Sequence, residues 1–393
     1  MRSQLPRYDG RMDETGTTAV GTSEPGNESR PALNWSINGR FTTQQITGVQ
    51  RYAREIVSAL DDILSQNPDV ARRIGLRLIL PGTGVTGAPD LHAIRLVSTS
   101  VLSGHLWDQL VLPFHEKDGI LSLGNFGPIF ARRHIVCIHD ANTFIEPDSY
   151  SLKFRMAYQT LLPWIGRRAA RVATVSEFSA NMLATYGVCA RNKIFIAPNG
   201  HEHVLRWDSR LAKLPFLAGV KRPYVLLLGS RAKHKNIQVV LQNAAALDQQ
   251  GLDIVVVGSA SGIFSDQASA GTAPNVHYTG YLGDNELAAL YAGALCLAFP
   301  SRTEGFGIPL LEAMTTGCPV VSSDAASLKE VGGDAVLYAA PDRPQDWLLR
   351  IASLAGNQAL RTSLIERGRK QAALFSWNRS AGIYLDEILR LAE

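Results

Sequence analysis

From Leu33 onward the chain alternates short apolar runs with helix-length segments. In the first half Leu33–Ile37, Gly75–Leu80, His134–Ile138, Arg171–Val175 and Lys193–Ala197 have strand length and strand composition. Between the first two, Gly48–Leu60 sets Ile56, Val57 and Leu60 at helical spacing. Strands alternating with helices predict a parallel sheet with crossover helices.

A proline- and charge-bearing stretch, Leu211–Pro223, interrupts the pattern, and a new set of runs follows at Tyr224–Leu228, Asp253–Val257, Val276–Tyr278 and Ala294–Phe299. The fold class predicted is α/β, with two successive doubly wound domains: residues 31–215 and 216–374, with a ligand cleft between them. Phe375-Ser376-Trp377 opens a last segment, 375–393, and reads by itself as an aromatic anchor. Residues 1–30, rich in Gly, Thr, Ser, Glu and Arg, lack apolar clusters and read as a disordered tail.

Composition narrows the function classes. A chain of 393 residues, 46% hydrophobic and 19% charged, is globular and long enough for two cores. The net charge of +4 suits anionic ligands or membrane surfaces but falls short of a nucleic-acid-binding profile, so no nucleic-acid partner is expected. Cys137, Cys189, Cys296 and Cys318 are scattered, without a Cys-x-x-Cys pair, and read as reduced and buried. No apolar stretch approaches the roughly 20 residues of a membrane helix and no signal-peptide core precedes the first strand, so a cytoplasmic location is expected.

The chemistry concentrates in Glu304–Glu312, EGFGIPLLE, two carboxylates eight residues apart between the apolar runs Ala294–Phe299 and Cys318–Ser322. That is the carboxyl end of a buried strand, where open α/β sheets present ligands. Gly305 is expected to turn the chain sharply and Gly307 to let backbone approach a ligand. The N–H groups of Phe306, Gly307 and Ile308 would then face an anion with a helix dipole behind them. Carboxylates do not bind phosphate, so Glu304 in the loop and Glu312 two turns down the helix are expected to accept hydrogen bonds from hydroxyls at the two ends of the ligand. A diphosphate between a sugar and a ribose meets that description. The plainer alternative is an ordinary helix start with solvated glutamates.

With its flanks, FPSRTEGFGIPLLEAMTTGCPVVSSD resembles the signature of retaining, nucleotide-sugar-dependent glycosyltransferases of the GT-B fold, the large family with two glutamates at this spacing. The likeness runs from about Asn34 to the C-terminus. It implies two Rossmann-like domains facing each other across the cleft, and a last helix, 375–393, starting at Phe375-Ser376-Trp377 and crossing back to the first domain. It places Glu304 on the transferred sugar, Glu312 on the ribose, and the amides of Gly305, Phe306, Gly307 and Ile308 on the diphosphate and sugar. Lys235, before Asn236, matches the family's lysine against the leaving diphosphate; Arg231 is the second cation, although Ser230 stands where arginine is common. Lys233 and His234 read as a solvated basic turn. Gly48 resembles the glycine loop of the first domain, and His139 matches a histidine beside the transferred sugar. Ser176 and Asn199 lie in further family-like strand ends and read as structural.

The activity this implies is transfer of a hexosyl residue with retained configuration. The donor is a nucleoside diphosphate sugar, GDP-mannose favoured and a UDP-sugar or deoxysugar donor open. No cofactor is expected. No Asp-x-Asp cluster offers itself to a divalent metal, so metal-independent activity is expected. INGRFTTQQITGVQRYARE and LWDQLVLPF resemble bacterial enzymes that build exopolysaccharide or O-antigen units, so the acceptor is expected to be a glycan, lipid-linked. Lys153–Arg171 interleaves aromatic and apolar residues with five cations and no acid. It fits peripheral contact with an anionic membrane, or, as the commoner arrangement, a core-facing helix with a cationic outer side. Two rivals differ in class. A non-catalytic nucleotide-sugar binder would carry damaged catalytic positions, which are intact here. For an NAD-dependent oxidoreductase the nearest loop, Gly258–Gly262, lacks the G-x-G-x-x-G spacing and the ribose-binding acid.

Overall fold

The computed structural model describes residues 32–82, 88–99, 102–131, 133–229, 232–258 and 273–393. The expected tail, Arg231, and the loop that follows Gly258 lie outside the described residues.

Two all-parallel sheets organise the chain. The first contains β1 (Leu33–Asn38), β2 (Ile74–Pro81), β3 (Arg95–Thr99), β4 (Gly119–Ser122), β5 (His134–Cys137), β6 (Arg171–Thr174) and β7 (Ile194–Ile196), in the spatial order 3-2-1-4-5-6-7. The second contains β8 (Tyr224–Leu228), β9 (Asp253–Val257), β10 (Val276–Tyr278), β11 (Cys296–Phe299), β12 (Val320–Ser323) and β13 (Leu337–Ala339), in the order 10-9-8-11-12-13. Strand order therefore reverses between β1 and β4 in one lobe and between β8 and β11 in the other, which opens a crevice at the carboxyl ends of each. This is the GT-B arrangement of two Rossmann-like lobes.

Three of these strands were not legible as apolar runs. β3 and β13 are sheet edges, and β3 leaves three of its five residues exposed, so neither needs a continuous apolar sequence. β4 is central and fully buried but only four residues long. Its Gly119 makes room for a neighbour: a Cβ there would lie 2.5 Å from the Trp35 indole.

The helix predicted over Gly48–Leu60 extends to Gln66, and Asn67-Pro68 ends it. At its start the Gln50 side chain accepts from the Thr47 backbone N–H at 3.2 Å. Tyr52, Ala53, Ile56, Val57, Leu60 and Leu64 form its buried face. The last helix, Trp377–Arg390, capped by Ser376, lies against it. Tyr384 and Tyr52 meet hydroxyl to hydroxyl at 2.9 Å, and Glu387 pairs with Arg171 of β6 at 2.6 Å. The chain's end is thus fastened to the first lobe.

The basic segment shows the commoner of its two expected arrangements, with an apolar addition. The helix Leu152–Arg168 buries Leu162, Ile165 and Gly166 and packs Tyr158 and Leu161 on the same core, while its outer side carries exposed cations. Met156 and Trp164 stand 59% and 54% exposed beside the exposed cations Lys153, Arg167 and Arg168. The Arg168 guanidinium lies 4.8 Å from the ring of the exposed Phe130. Among the described residues no helix is long and apolar enough to cross a membrane.

Candidate active site

Loops from the carboxyl ends of both sheets converge on one cleft of about 370 Å³. Gly48 arrives after β1, His139 after β5, Lys235 after β8, and Glu304 to Ile308 after β11, with Glu312 behind them. Every described residue expected at the donor site lines this one cavity. The lobes are close: a Cβ at Gly48 would lie 3.5 Å from Ile308 Cδ1.

The two glycines of the motif exchange their expected roles. Gly307 takes the positive φ, 100°, and makes the turn into the helix Ile308–Thr316. Gly305 makes the close approach, and its neighbour is protein rather than ligand. A Cβ there would stand 2.6 Å from the His139 carbonyl oxygen of the opposite lobe. Glu312 also sits nearer than expected, four residues past the first helical residue and so about one turn in.

Hydroxyls occupy the carbonyls of the motif. Ser327 donates towards the Glu304 and Phe306 carbonyls at 2.9 and 3.1 Å, while Ser176 and Ser179 reach across the cleft to that of Gly305 at 2.6 and 3.1 Å. A trans peptide holds its N–H antiparallel to its carbonyl. The amides of Gly305, Phe306 and Gly307 are therefore turned away from those hydroxyls, at the mouth of a nine-residue helix whose dipole favours negative charge.

Lys235 and Glu304, from different loops of the second lobe, form one ion pair with Nζ 2.7 Å from Oε1. Glu304 is 8% exposed, so its carboxylate needs that partner. Lysine has three N–H donors, and the pair uses one. His234, two residues from Ala232, corrects the sequence reading: it is buried, its ring lies 5.9 Å from that of Tyr150, and its backbone N–H donates to Ser149 Oγ at 3.1 Å. Burial pushes its imidazole down, with the charge of Lys235 adding to the effect. Lys233 is exposed, as expected of a solvated turn.

His139 is buried, edge-on to Tyr52 with ring centroids 4.8 Å apart. Its Nε2 meets the Leu123 carbonyl at 2.9 Å, and a carbonyl only accepts, so Nε2 carries the proton and Nδ1 the lone pair. Burial pushes the imidazole down to about 4, leaving it neutral at physiological pH.

Asp140, Arg51 and Asn199 also line the cleft; Asn199 reads as structural from the sequence, which assigns no role there to Asp140 or Arg51. Burial raises the Asp140 carboxyl, the nearby Glu304 adding to it and Lys235 opposing it. Arg51 crosses the cleft to Asp284, with NH1 3.1 Å from Oδ2 and NH2 also paired. Its signal was positional: Thr47, Gly48 and Arg51 share one face of the first helical turn.

A family model described as "Glycosyl transferases group 1" matches residues 214–371. O-antigen chain mannosyltransferase B of Escherichia coli is 30% identical over 273 residues, covering 66% of this chain and 71% of the relative. The chain belongs to the group 1 glycosyltransferases. The transferase is also similar to the O-antigen chain mannosyltransferase RfbU of Salmonella typhimurium, at 26% identity over 322 residues, 78% of this chain and 87% of the relative. Among solved structures, the crystal structure of WaaG, a glycosyltransferase involved in lipopolysaccharide biosynthesis, superposes with a TM-score of 0.64 at 18% identity, over 91% of this chain and 99% of WaaG. At that identity the match speaks for the fold.

Proposed function

We propose that this transferase moves a mannosyl residue from a nucleoside diphosphate sugar, GDP-mannose before UDP-sugars, to a glycan acceptor of O-antigen or exopolysaccharide assembly, with retention and without a divalent metal. The observation that carries the reading is the Lys235–Glu304 pair, set beside the turned-out amides of the Gly305–Gly307 loop in a single interlobe cleft. The mannosyltransferase names of two relatives support the sugar.

In the proposed reaction the bond between the anomeric carbon and the β-phosphate oxygen breaks, and a bond to the acceptor oxygen forms on the same face. The acceptor hydroxyl gives its proton to the departing phosphate oxygen. The main demand is charge, since the leaving diphosphate gains a negative charge as the bond breaks. Lys235, with Arg231 as its companion, meets that charge together with the loop amides and the helix dipole. Glu304 accepts from a hydroxyl of the sugar while holding Lys235 in place. His139, neutral and with Nδ1 free to accept, takes a second sugar hydroxyl. Glu312 takes the ribose.

The exposed Met156, Trp164, Lys153 and Arg168 suit contact with an anionic bilayer carrying a lipid-linked acceptor, at its cytoplasmic face.

The test is a thermal-shift panel of GDP, UDP, ADP and dTDP and their sugar conjugates in EDTA, followed by product analysis with the donor that stabilises the fold. Stabilisation by guanosine ligands and an α-linked mannoside from α-linked donor are the expected results. No stabilisation by any nucleotide would remove the donor-site reading, and activity that returns only with added Mg²⁺ or Mn²⁺ would remove its metal-free form.

A further inference from the structure

Glu312 is held by groups far from it in sequence. Tyr291, on the helix Asp284–Gly293, donates its hydroxyl to Oε2 at 2.9 Å. On the other side His203 Nε2 stands 3.4 Å from Oε1. His203 is 1% exposed and meets Trp377, whose indole N–H donates to His203 Nδ1 at 3.2 Å. An indole nitrogen has a proton to give and no lone pair to accept with. Nδ1 must therefore be the acceptor, and a neutral His203 carries its one proton on Nε2, directed at Glu312.

Both ends of this chain of contacts lie where the polypeptide passes between the lobes. His203 belongs to the connection between β7 and β8, and Trp377 opens the helix that returns to the first lobe. The two crossings are pressed together. A Cβ at Gly200 would lie 2.2 Å from the Trp377 nitrogen, and the Trp377 N–H donates to the Glu202 carboxylate at 3.0 and 3.1 Å.

A carboxylate offers about four lone-pair sites. Tyr291 and His203 each take one, on different oxygens, which sets the plane of the group and leaves a lone pair on each oxygen for a pair of vicinal hydroxyls. Without His203 the 6%-exposed carboxylate loses a donor and is free to turn about its last bond.

We propose that His203 and Trp377 are positioning residues for the nucleotide: Trp377 sets the tautomer of His203, and His203, opposite Tyr291, locks the Glu312 carboxylate in the orientation that receives the ribose diol. This rests on the reading of Glu312 as the ribose ligand. It ties nucleotide recognition to the crossing between lobes.

The experiment measures binding of GDP and UDP, and of their 2′,3′-dideoxy counterparts, to the full chain by calorimetry. Wild type is compared with His203→Leu, His203→Gln and Trp377→Phe, and transfer kinetics are recorded alongside. Expected is a preference of wild type for the ribonucleotide over its dideoxy form. His203→Leu and Trp377→Phe weaken the ribonucleotide about tenfold or more while changing dideoxy binding less than twofold. The kinetic loss appears in donor KM. His203→Gln, which can both accept from Trp377 and donate to Glu312, recovers most of the preference. Equal losses for both nucleotide forms, or a preference that survives both His203→Leu and Trp377→Phe, overturn the positioning role. Absence of any preference in wild type is a different failure, which sinks the ribose role of Glu312 itself and this inference with it. Trp377→Phe keeps an aromatic ring in the core, so the test survives if His203→Leu fails to fold.

Discussion

Lys235 Nζ lies 2.7 Å from Glu304 Oε1, so the cation meant for the leaving phosphate and the carboxylate meant for the sugar are one ion pair. Each conditions the other. Lys235→Met should lower kcat about a hundredfold to a thousandfold, the usual cost of removing one donor to developing charge. Glu304→Gln should lower kcat as well, yet leave the product nucleotide bound as tightly as before or more so, because Lys235 is released to the phosphate. Steady-state transfer and calorimetry with GDP and UDP check both; weaker nucleotide binding by Glu304→Gln would contradict the pairing.

The glycines of the motif should fail in different ways. Gly305→Ala drives a methyl group against the His139 carbonyl of the facing lobe and should abolish closure, seen as a large loss of transfer and a more open molecule in small-angle scattering. Gly307→Ala strains a backbone at φ 100° and presses on Leu328, costing about 1–3 kcal/mol, a few degrees of Tm for a lobe of this size. Ser176→Ala should weaken closure more mildly, by the loss of its bond to the Gly305 carbonyl.

Acid should destabilise the protein through buried histidines. Burial pushes His139 down to about 4 and His134 to about 3, from an ordinary value of 6.5. Below pH 6.5 the unfolded chain takes up protons that the folded one refuses. The stability from keeping these rings neutral is thus complete above pH 6.5 and lost as pH falls towards 4, at about 1.4 kcal/mol per unit per site. Denaturant titrations from pH 7.5 down to about 4.5 should show this slope, and His139→Gln should reduce it while His134 keeps the remainder. A slope unchanged in that variant would contradict the buried neutral state.

The exposed face of the helix Leu152–Arg168 should bind anionic vesicles. Co-sedimentation with vesicles rich in phosphatidylglycerol is expected to fall several-fold on Trp164→Ala and on Arg168→Ala, to be weak with phosphatidylcholine alone, and to drop as salt rises. Neither change should move Tm appreciably, since both side chains are exposed. Equal binding by wild type and both variants would count against this surface.

Much of the cleft was legible because its parts obey local rules. A buried strand followed by a glycine turn and a helix start announces a ligand end, as at Phe299–Ile308. The spacing of Glu304 and Glu312 needed a family likeness to acquire meaning. Strands β3, β4 and β13 escaped because edge position and brevity remove the continuous apolar run. That Met156 and Trp164 stand exposed among the cations of Leu152–Arg168 was not legible, because periodicity reports which residues share a face, not which neighbour covers it.

Two parallel α/β lobes, the places of their main strands along the chain, the helix over Gly48, and the loops bearing Lys235, His139 and Glu304–Glu312 can be read from the chain alone. These follow from burial period and backbone preference, which act over a few residues. It took the packing of distant segments to show that Gly305 is a glycine for the sake of His139, that Arg51 reaches Asp284, and that Glu312 is held by Tyr291 and His203 with Trp377 behind. Those partners are 21 to 233 residues apart in the chain where a hydrogen bond joins them. No local pattern records such pairings, because the free energy that selects them arises only when segments distant in the chain bury polar groups against each other and each group must find a partner.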